Sequence, residues 1–441
     1  SPIATGYGIV TTDNYSAGIY LIKDRNFTKI VSAAGSGRYF TLSTDRNTIF
    51  YKNVLRDGKQ AIYGFDLSAG KSKKIFGYHE VIGQLSIANN GTFVYSVGQE
   101  VVIRQGTAEK RVRIGNFSNL TPVSPDANYF IYNDNNDNLH LYNIQFNSDE
   151  IFTDESTGYF EPIWSPDSRY IVYSSLDGVL YIYDIAAKIT TRIGPGFKPS
   201  WHPGGNVIIF ENREYLNGNY GKSDLAVYSL DTNEITLLTR TDVISERTPS
   251  FTDENTILFT EQETGKVVQA RLTSKGLSTP VTIYMLDQAA REKIKPDYRT
   301  TSGARNMDIP YVHQVYDTPD WYNGHWACGP TTAIMLIAYW NLLPPYEGWC
   351  SWPSPGHYNL WGRYITDRYR FRQVDYQSTA SDPNGTASMG GFGYMWNGNY
   401  SPYSRMVSYY GNHGIAATRE DSPTFAKAEA QLLSGNPYTI C

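Results

Sequence analysis

The chain's reactive chemistry concentrates in the stretch His325-Trp326-Ala327-Cys328-Gly329-Pro330-Thr331-Thr332-Ala333-Ile334-Met335. A lone cysteine stands where an irregular segment turns into an apolar helix. Pro330 suits a first helical turn, where a missing N–H costs little. The run Ala333-Ile334-Met335-Leu336-Ile337-Ala338 has no polar face and must be buried on nearly every side. A thiol at a helix N-terminus meets the positive end of the dipole and the unbonded N–H groups of the first turn. Both favour thiolate over thiol, which is how a nucleophilic cysteine is placed. Upstream, Ile309-Pro310-Tyr311-Val312-His313-Gln314 is extended and ends in a glutamine fourteen positions before Cys328. A glutamine amide beside a nucleophilic cysteine can donate to the oxyanion of a tetrahedral intermediate.

The order Ile-Pro-Tyr-x-x-Gln-x-Tyr-Asp-Thr-Pro-Asp over residues 309–320, followed by Ala-Cys-Gly-Pro-Thr-Thr-Ala over 327–333, resembles the C39-like cysteine peptidases. These are a papain-like group common in secreted bacterial proteins. The resemblance covers roughly the last third of the chain. It continues through Leu343-Pro344-Pro345, Gly393-Tyr394-Met395-Trp396 and Gly435-Asn436-Pro437-Tyr438-Thr439-Ile440. It implies an α+β papain-like domain with Cys328 as nucleophile and Gln314 as oxyanion donor. It also implies that the general-base histidine follows the Gly-x-Pro strand in which this sequence stops, so the domain is expected to be incomplete. Cysteine acyl transfer needs a base for the thiol proton and an acid for the leaving amine. On that reading the chain alone is inactive or nearly so. Four histidines fall in this third: His313, His325, His357 and His413. None stands at the family's catalytic position. His325 lies on the segment leading into the helix, and the other three read as surface or packing residues.

Composition narrows the class. A length of 441 residues implies two or three domains. Hydrophobic residues at 41% are ample for cores, while charged residues at 18% are sparse and tyrosines number 36. That balance suits an extracellular or cell-surface protein. A formal net charge of −5 argues against a nucleic-acid partner. No apolar run has the length of a membrane span. The opening Ser1-Pro2-Ile3 reads as a processed start. Cys328, Cys350 and Cys441 have no zinc-like spacing, so neither a metal nor a cofactor is expected. Cys350 and Cys441 form a disulfide or remain two free thiols; the sequence leaves both open.

The elements that carry this region follow a repeat. An apolar strand end, a turn with Asp, Asn or Gly, and three or four β-formers recur with turns at 45, 90, 126, 167, 204 and 253. Trp164-Ser165-Pro166-Asp167 before Tyr170-Ile171-Val172-Tyr173 is typical, as is Val123-Ser124-Pro125-Asp126 before Tyr129-Phe130-Ile131-Tyr132. Spacings of 36 to 49 with four short strands per unit are those of β-propeller blades. The Ser-Pro-Asp turns resemble TolB-like propellers more than WD40 ones. Residues 7–31 supply a further unit whose first strand is absent or very short, to be completed from Val281-Thr282-Ile283-Tyr284. The count is seven blades, with six the alternative.

Trp164, Trp201 and Phe251 are expected between blades, and the turn aspartates on local N–H groups rather than on metal. The run at 133–138 reads as a polar hairpin loop, since it lacks the glycine and distal glutamate of an EF-hand. The organisation is thus a multidomain one: a propeller over 1–284, a short helix and linker over 285–306, and the papain-like domain over 307–441. Residues 376–393, rich in Ser, Gly, Asn and Asp, read as a long loop or flap beside the cleft. Two functions fit. One is a secreted cysteine-peptidase-like protein acting on protein or peptide, its propeller holding substrate or a protein partner. The other is a non-catalytic surface or assembly protein that uses the papain-like domain to bind.

Overall fold

The structure is a computed structural model. It describes residues 2–12, 18–33, 36–37, 39–54, 59–79, 81–154, 156–176, 178–216, 219–242, 244–262, 264–273, 276–285, 310, 312–314, 317–318, 327–340, 342–344, 346, 348–350, 357–376, 390–396, 402–422, 424–433 and 439. The chain divides into two compact units. The first holds residues 1–214 and 221–286 with 354–356, and the second holds most of the remainder.

The first unit is a seven-bladed β-propeller. Its sheets span residues 3–31, 40–79, 86–113, 129–151, 159–195, 197–237 and 246–285. The first six are antiparallel meanders of consecutive strands, and the seventh departs only in its last strand, as alternating β-branched and aromatic residues with tight polar turns dictate. Apolar clusters lie between successive blades; Trp201, for example, packs with Val172, Ile182, Ile208 and Phe210. Trp164 and Trp201 also fasten blades by donating Nε1–H to Pro122 O at 3.0 Å and Ile163 O at 3.1 Å. Phe251 packs against Ile209 and Leu225 of the preceding blade.

The recurrent turns have a local cause. Ser165 Oγ donates to Asp167 Oδ1 at 2.5 Å, that carboxylate accepts Arg169 N–H at 3.1 Å, and Ser165 Oγ accepts Tyr170 N–H at 2.8 Å. Ser124 with Asp126 and Ser43 with Asp45 repeat the arrangement. The residue after each aspartate is left-handed: Arg46, Ala127 and Ser168 at φ 55, 65 and 64°. In the loop at 133–138, the Asp134 carboxylate accepts the Asn136 and Asn138 N–H groups at 2.8 and 2.9 Å. Its other oxygen lies 3.5 Å from His140 Nε2, and Asp149 holds His140 Nδ1 at 3.1 Å.

Three details differ from the sequence expectation. The first blade has its own inner strand, Ile3–Thr5, paired with Gly8–Thr12. The segment Val281–Met285 pairs instead with Lys266–Thr273 in the seventh blade. Met285 is therefore strand rather than helix; the rest of the expected helix and linker lies outside the described residues. The fourth blade has three strands, its inner one reduced to a bridge between Val123 and Phe130. Between the seventh blade and the first, Ser250 Oγ donates to Pro2 O, and Phe27 stacks on Tyr284 at 5.1 Å.

Between the sixth and seventh blades lies a buried ion cluster. Fully buried Glu211 accepts from Arg213 and Arg247, each at 2.9 Å, and from Thr248 N–H at 2.8 Å. Burial alone would raise its carboxyl; the two guanidiniums outweigh this and hold it down to about 2.

The second unit mixes helices with two short hairpins. Among the described residues its helices are α1 Cys328–Tyr339, α2 Arg363–Thr366, α3 Gly390–Met395, α4 Pro402–Asn412 and α5 Phe425–Leu433. Gly390–Met395 falls at the end of the expected loop at 376–393, whose centre lies outside the described residues. Helix α1 buries Pro330, Thr331, Ala333, Ile334, Leu336, Ile337 and Ala338, and packs on α3 and α4. Side chains as fully buried as Ile334 and Ile337 stabilise by about 1.5–3 kcal/mol each. Behind it, Tyr364, Tyr369, Phe371, Tyr376, Phe392 and Tyr409 form an aromatic core around His413, which is fully buried.

Candidate functional site

Helix α1 begins at Cys328 itself. Ala327 precedes it with φ −89° and ψ 9° and supplies no side-chain cap. The N-cap position is therefore not one of the Ser, Thr or Asp residues that commonly cap a helix start. Gly329 follows, and a β-carbon there would stand 3.0 Å from Met406 Cε of α4, the movable end of a flexible side chain. The Cys328 thiol is free and exposed.

Facing the helix are the turn residues His313, Gln314, Asp317 and Thr318. Asp317 fixes the turn: its Oδ2 accepts His313 N–H at 2.5 Å, and its own N–H donates to His313 O at 3.0 Å. Thr318 Oγ1 donates to Gln314 O at 3.2 Å. The turn lies hard against Gly362, where a β-carbon would come within 1.6 Å of Asp317 O. Only glycine fits there. Asn359 Oδ1 holds that glycine by accepting the N–H groups of Trp361 and Gly362 at 2.6 and 2.5 Å.

Turn and helix border an open pocket of about 310 Å³ lined, among the described residues, by Val312, His313, Gln314, Cys328, Thr331, Thr332 and Met335. The structure thus brings the two sequence-predicted site residues, Cys328 and Gln314, to one cavity. It adds five that sequence reasoning did not place at a site: Val312, His313, Thr331, Thr332 and Met335. The helical members stand at i, i+3, i+4 and i+7 from Cys328, one face of the first two turns. That spacing was a signal in the sequence; His313, read as a packing or surface residue, gave none beyond adjacency to Gln314.

Of the other histidines, His413 is a core residue. Its Nδ1 lies 2.6 Å from Tyr409 O and its Nε2 3.1 Å from Tyr369 Oη. His357 lies in the strand His357–Asn359, and His325 lies outside the described residues. Cys350 is buried, and Cys441, its expected alternative disulfide partner, lies outside the described residues. Among the described residues no cluster of three or more His, Cys, Asp or Glu could hold a metal. Among them, too, no helix is long and apolar enough to cross a membrane.

No protein-family model matches this chain, and no curated protein matches it. Among solved structures it is similar to TolB from Acinetobacter baumannii, with 17% identity, 55% of this chain and 65% of that chain covered, and a TM-score of 0.42. It is similar to the tricorn protease at 15% identity, covering 62% of this chain and 31% of that one, with a TM-score of 0.38. Putative TolB from Agrobacterium tumefaciens matches at 14% identity over 50% of this chain and 87% of that chain, with a TM-score of 0.35. The chain therefore spans less than two thirds of the first two. The propeller assignment rests on the order of the seven sheets.

Proposed function

We propose that this is a secreted cysteine-peptidase-like protein in which a propeller binds a protein partner or substrate and a separate unit carries out acyl transfer. The observation that carries the reading is the sharing of one cavity by Cys328 and Gln314 at an uncapped helix start. In the reaction, the Cys328 sulfur attacks a peptide carbonyl carbon. The resulting oxyanion is held by the Gln314 amide and the Cys328 N–H. A base takes the thiol proton and returns it to the departing amine; water then cleaves the thioester. The resemblance to C39-like peptidases puts that base beyond Cys441. His313 is the one histidine that the described residues bring to the cavity. The sparse charge and abundant tyrosine support an extracellular setting, and a seven-bladed ring offers broad faces for protein binding.

The test is cleavage of a mixed peptide library by this chain and by a version extended through the next strand. Turnover is expected from the extended form, with loss in Cys328→Ala and a fall of roughly 10²–10³-fold in kcat in Gln314→Ala. The 441-residue form should be slower by roughly 10²–10⁴-fold. Equal turnover by both forms, abolished in His313→Ala, assigns the base to His313. No turnover by either form, with the thiol still accessible, sinks the peptidase reading in favour of a binding module.

A further inference from the structure

Charge is unevenly placed around the ring. Residues 1–113, which include the first three blades, hold 15 Lys and Arg against 8 Asp and Glu, whereas residues 114–286 hold 11 against 22. Cations gather at one seam of the rim. In the second blade's outer strand, Lys71–His79, Lys71 and Lys73 alternate onto the same face as Ile75, which packs in the apolar cluster between the second and third blades. In the third blade's outer strand, Ala108–Arg113, Arg111 and Arg113 stand opposite Val102 and Glu100, and Val102 belongs to that cluster. These four side chains therefore share one seam, and all four residues are exposed. Arg104 reaches across it, its guanidinium 5.3 Å from the Phe76 ring. Glu100 and Glu109 answer Arg111 at 3.2 and 2.9 Å, and Asp66, opposite Lys71, is engaged by the Ser68 and Ala69 N–H groups at 2.8 and 3.0 Å. Among the described residues, Lys71, Lys73 and Arg113 are in no ion pair.

Charge of either sign keeps a sheet edge from pairing indiscriminately. The outer strands of the fourth and sixth blades meet that need with Asp149, Glu150 and Glu234. Edge protection therefore does not account for one sign being collected here, and collected cations attract an anionic partner. The edge itself selects the kind. Ala108–Arg113 is the terminal strand of its sheet, and its six pairs with Glu100–Gln105 run without a bulge. Such an edge offers N–H and C=O groups at polypeptide spacing over about 20 Å, at ~3.4 Å per residue. A polysaccharide or nucleic acid would use the charges and leave those groups. We propose that the rim seam between the second and third blades docks an extended acidic segment of a protein partner, added as a strand along Ala108–Arg113. Carboxylates at alternate positions of that segment share the face of Arg111 and Arg113 and are met by Lys71 and Lys73. This rests on the propeller being the protein-binding unit and specifies the chemistry of what it binds.

The test uses the whole chain carrying Cys328→Ala, so that no peptide is consumed. The probe is a short fluorescent peptide alternating Glu and Thr, its binding read by anisotropy at low ionic strength. The same peptide with Gln in place of Glu, or with alternate amides N-methylated, should bind at least about 10-fold more weakly, the first through lost charge and the second through lost strand bonds. Both comparisons leave the protein unaltered, so they stand even where a variant fails to fold. Lys73→Glu with Arg113→Glu should weaken the Glu peptide about 10-fold or more. Lys188→Glu with Arg192→Glu, an equal change of net charge among exposed residues at the fifth blade's rim, should stay within about twofold. Equal weakening by both pairs of reversals overturns the seam. So does polygalacturonate that matches the peptide per carboxylate while N-methylation changes nothing, since the site then reads charge alone. Self-association in sedimentation that the seam reversals abolish also overturns it, giving the seam to the acidic arc of a second copy. Displayed random peptides are selected on the same chain in parallel. Binders without acidic enrichment that survive the seam reversals overturn the seam and leave the propeller a protein-binding unit. No selected binder, and no binding of the Glu peptide, overturns both.

Discussion

Acid should destabilise the second unit through a single histidine. His413 is fully buried, stacked on Phe371 at 4.9 Å and enclosed by Tyr369, Tyr376 and Tyr409. Tyr409 O is only an acceptor, so Nδ1 carries the hydrogen. Nε2 is then a lone pair that accepts from Tyr369 Oη, and Tyr369 accepts in turn from Tyr409 Oη at 2.5 Å. A second proton would reverse that chain and put a cation among aromatic rings. Burial pushes the imidazole down to about 3; the bond to Tyr409 O opposes this, and the Arg372 charge reinforces it. The hydroxyls of Tyr369 and Tyr409 are pushed well above their usual range by the same burial, so neither supplies a charge to offset it.

With a folded value near 3 and an unfolded value near 6.5, only the unfolded chain takes up the proton between them. The stabilisation is complete above pH 6.5 and falls as pH drops, by ~1.4 kcal/mol per unit, to a total of about 5 kcal/mol near pH 3. Between pH 6.5 and 5 the loss is about 2 kcal/mol. The assay is urea unfolding followed by near-ultraviolet circular dichroism at a series of pH values, for the native chain and His413→Phe. The variant should be weaker at pH 7 by roughly 1–3 kcal/mol, since Tyr369 loses its acceptor, but flatter in pH. A variant with the native slope, or a native chain more stable at pH 5 than at pH 7, would refute the argument.

Three further outcomes follow from the geometry. Gly362→Ala should cost about 2–4 kcal/mol, because its β-carbon collides with Asp317 O and displaces the turn carrying His313 and Gln314; the check is a thermal melt together with Cys328 labelling, and a silent substitution would contradict the packing. Burial acts to lower His140, but its bonds to Asp134 and Asp149 prevail and raise it to about 9. Its stabilisation is therefore complete below pH 6.5 and lost as pH rises through about 9; melts at pH 6 and pH 10 should differ less in His140→Asn than in the native chain. Glu211→Gln should destabilise the propeller by about 3–5 kcal/mol, since Arg213 and Arg247 lose a buried counter-charge; chemical denaturation at neutral pH reads it, and an unchanged midpoint would show that the cluster is neutral to stability.

The blade turns were legible because their cause is local: Ser and Asp two positions apart satisfy the same few N–H groups wherever they recur. Partner choice was not. Val281–Met285 has the composition of a strand, but nothing in its residues says whether it joins the first blade or the seventh; only the finished sheet does. Ile3–Thr5 is too short for alternation to register. At the candidate site, Cys328 and Gln314 stood out because a helix start and a preceding extended segment are readable from type and spacing. Thr331 did not, because a threonine in a first turn is ordinary, and only burial without a partner distinguishes it. The ion pair of Glu211 with Arg247 joins residues far apart in sequence, beyond the reach of any local pattern.

Because every blade is one uninterrupted run of chain, the ring has no sheet shared between its beginning and its end. Across that junction the described links are a side-chain bond from Ser250 and the stacking of Phe27 on Tyr284, rather than a ladder of backbone pairs. Such a ring resembles a clasped bracelet more than a welded hoop. A gene encoding it can duplicate or delete a whole blade in frame without splitting any sheet, and the clasp faces only two surfaces that must still meet. Blade number is therefore open to change by recombination, while the clasp residues are the ones that any such change must preserve.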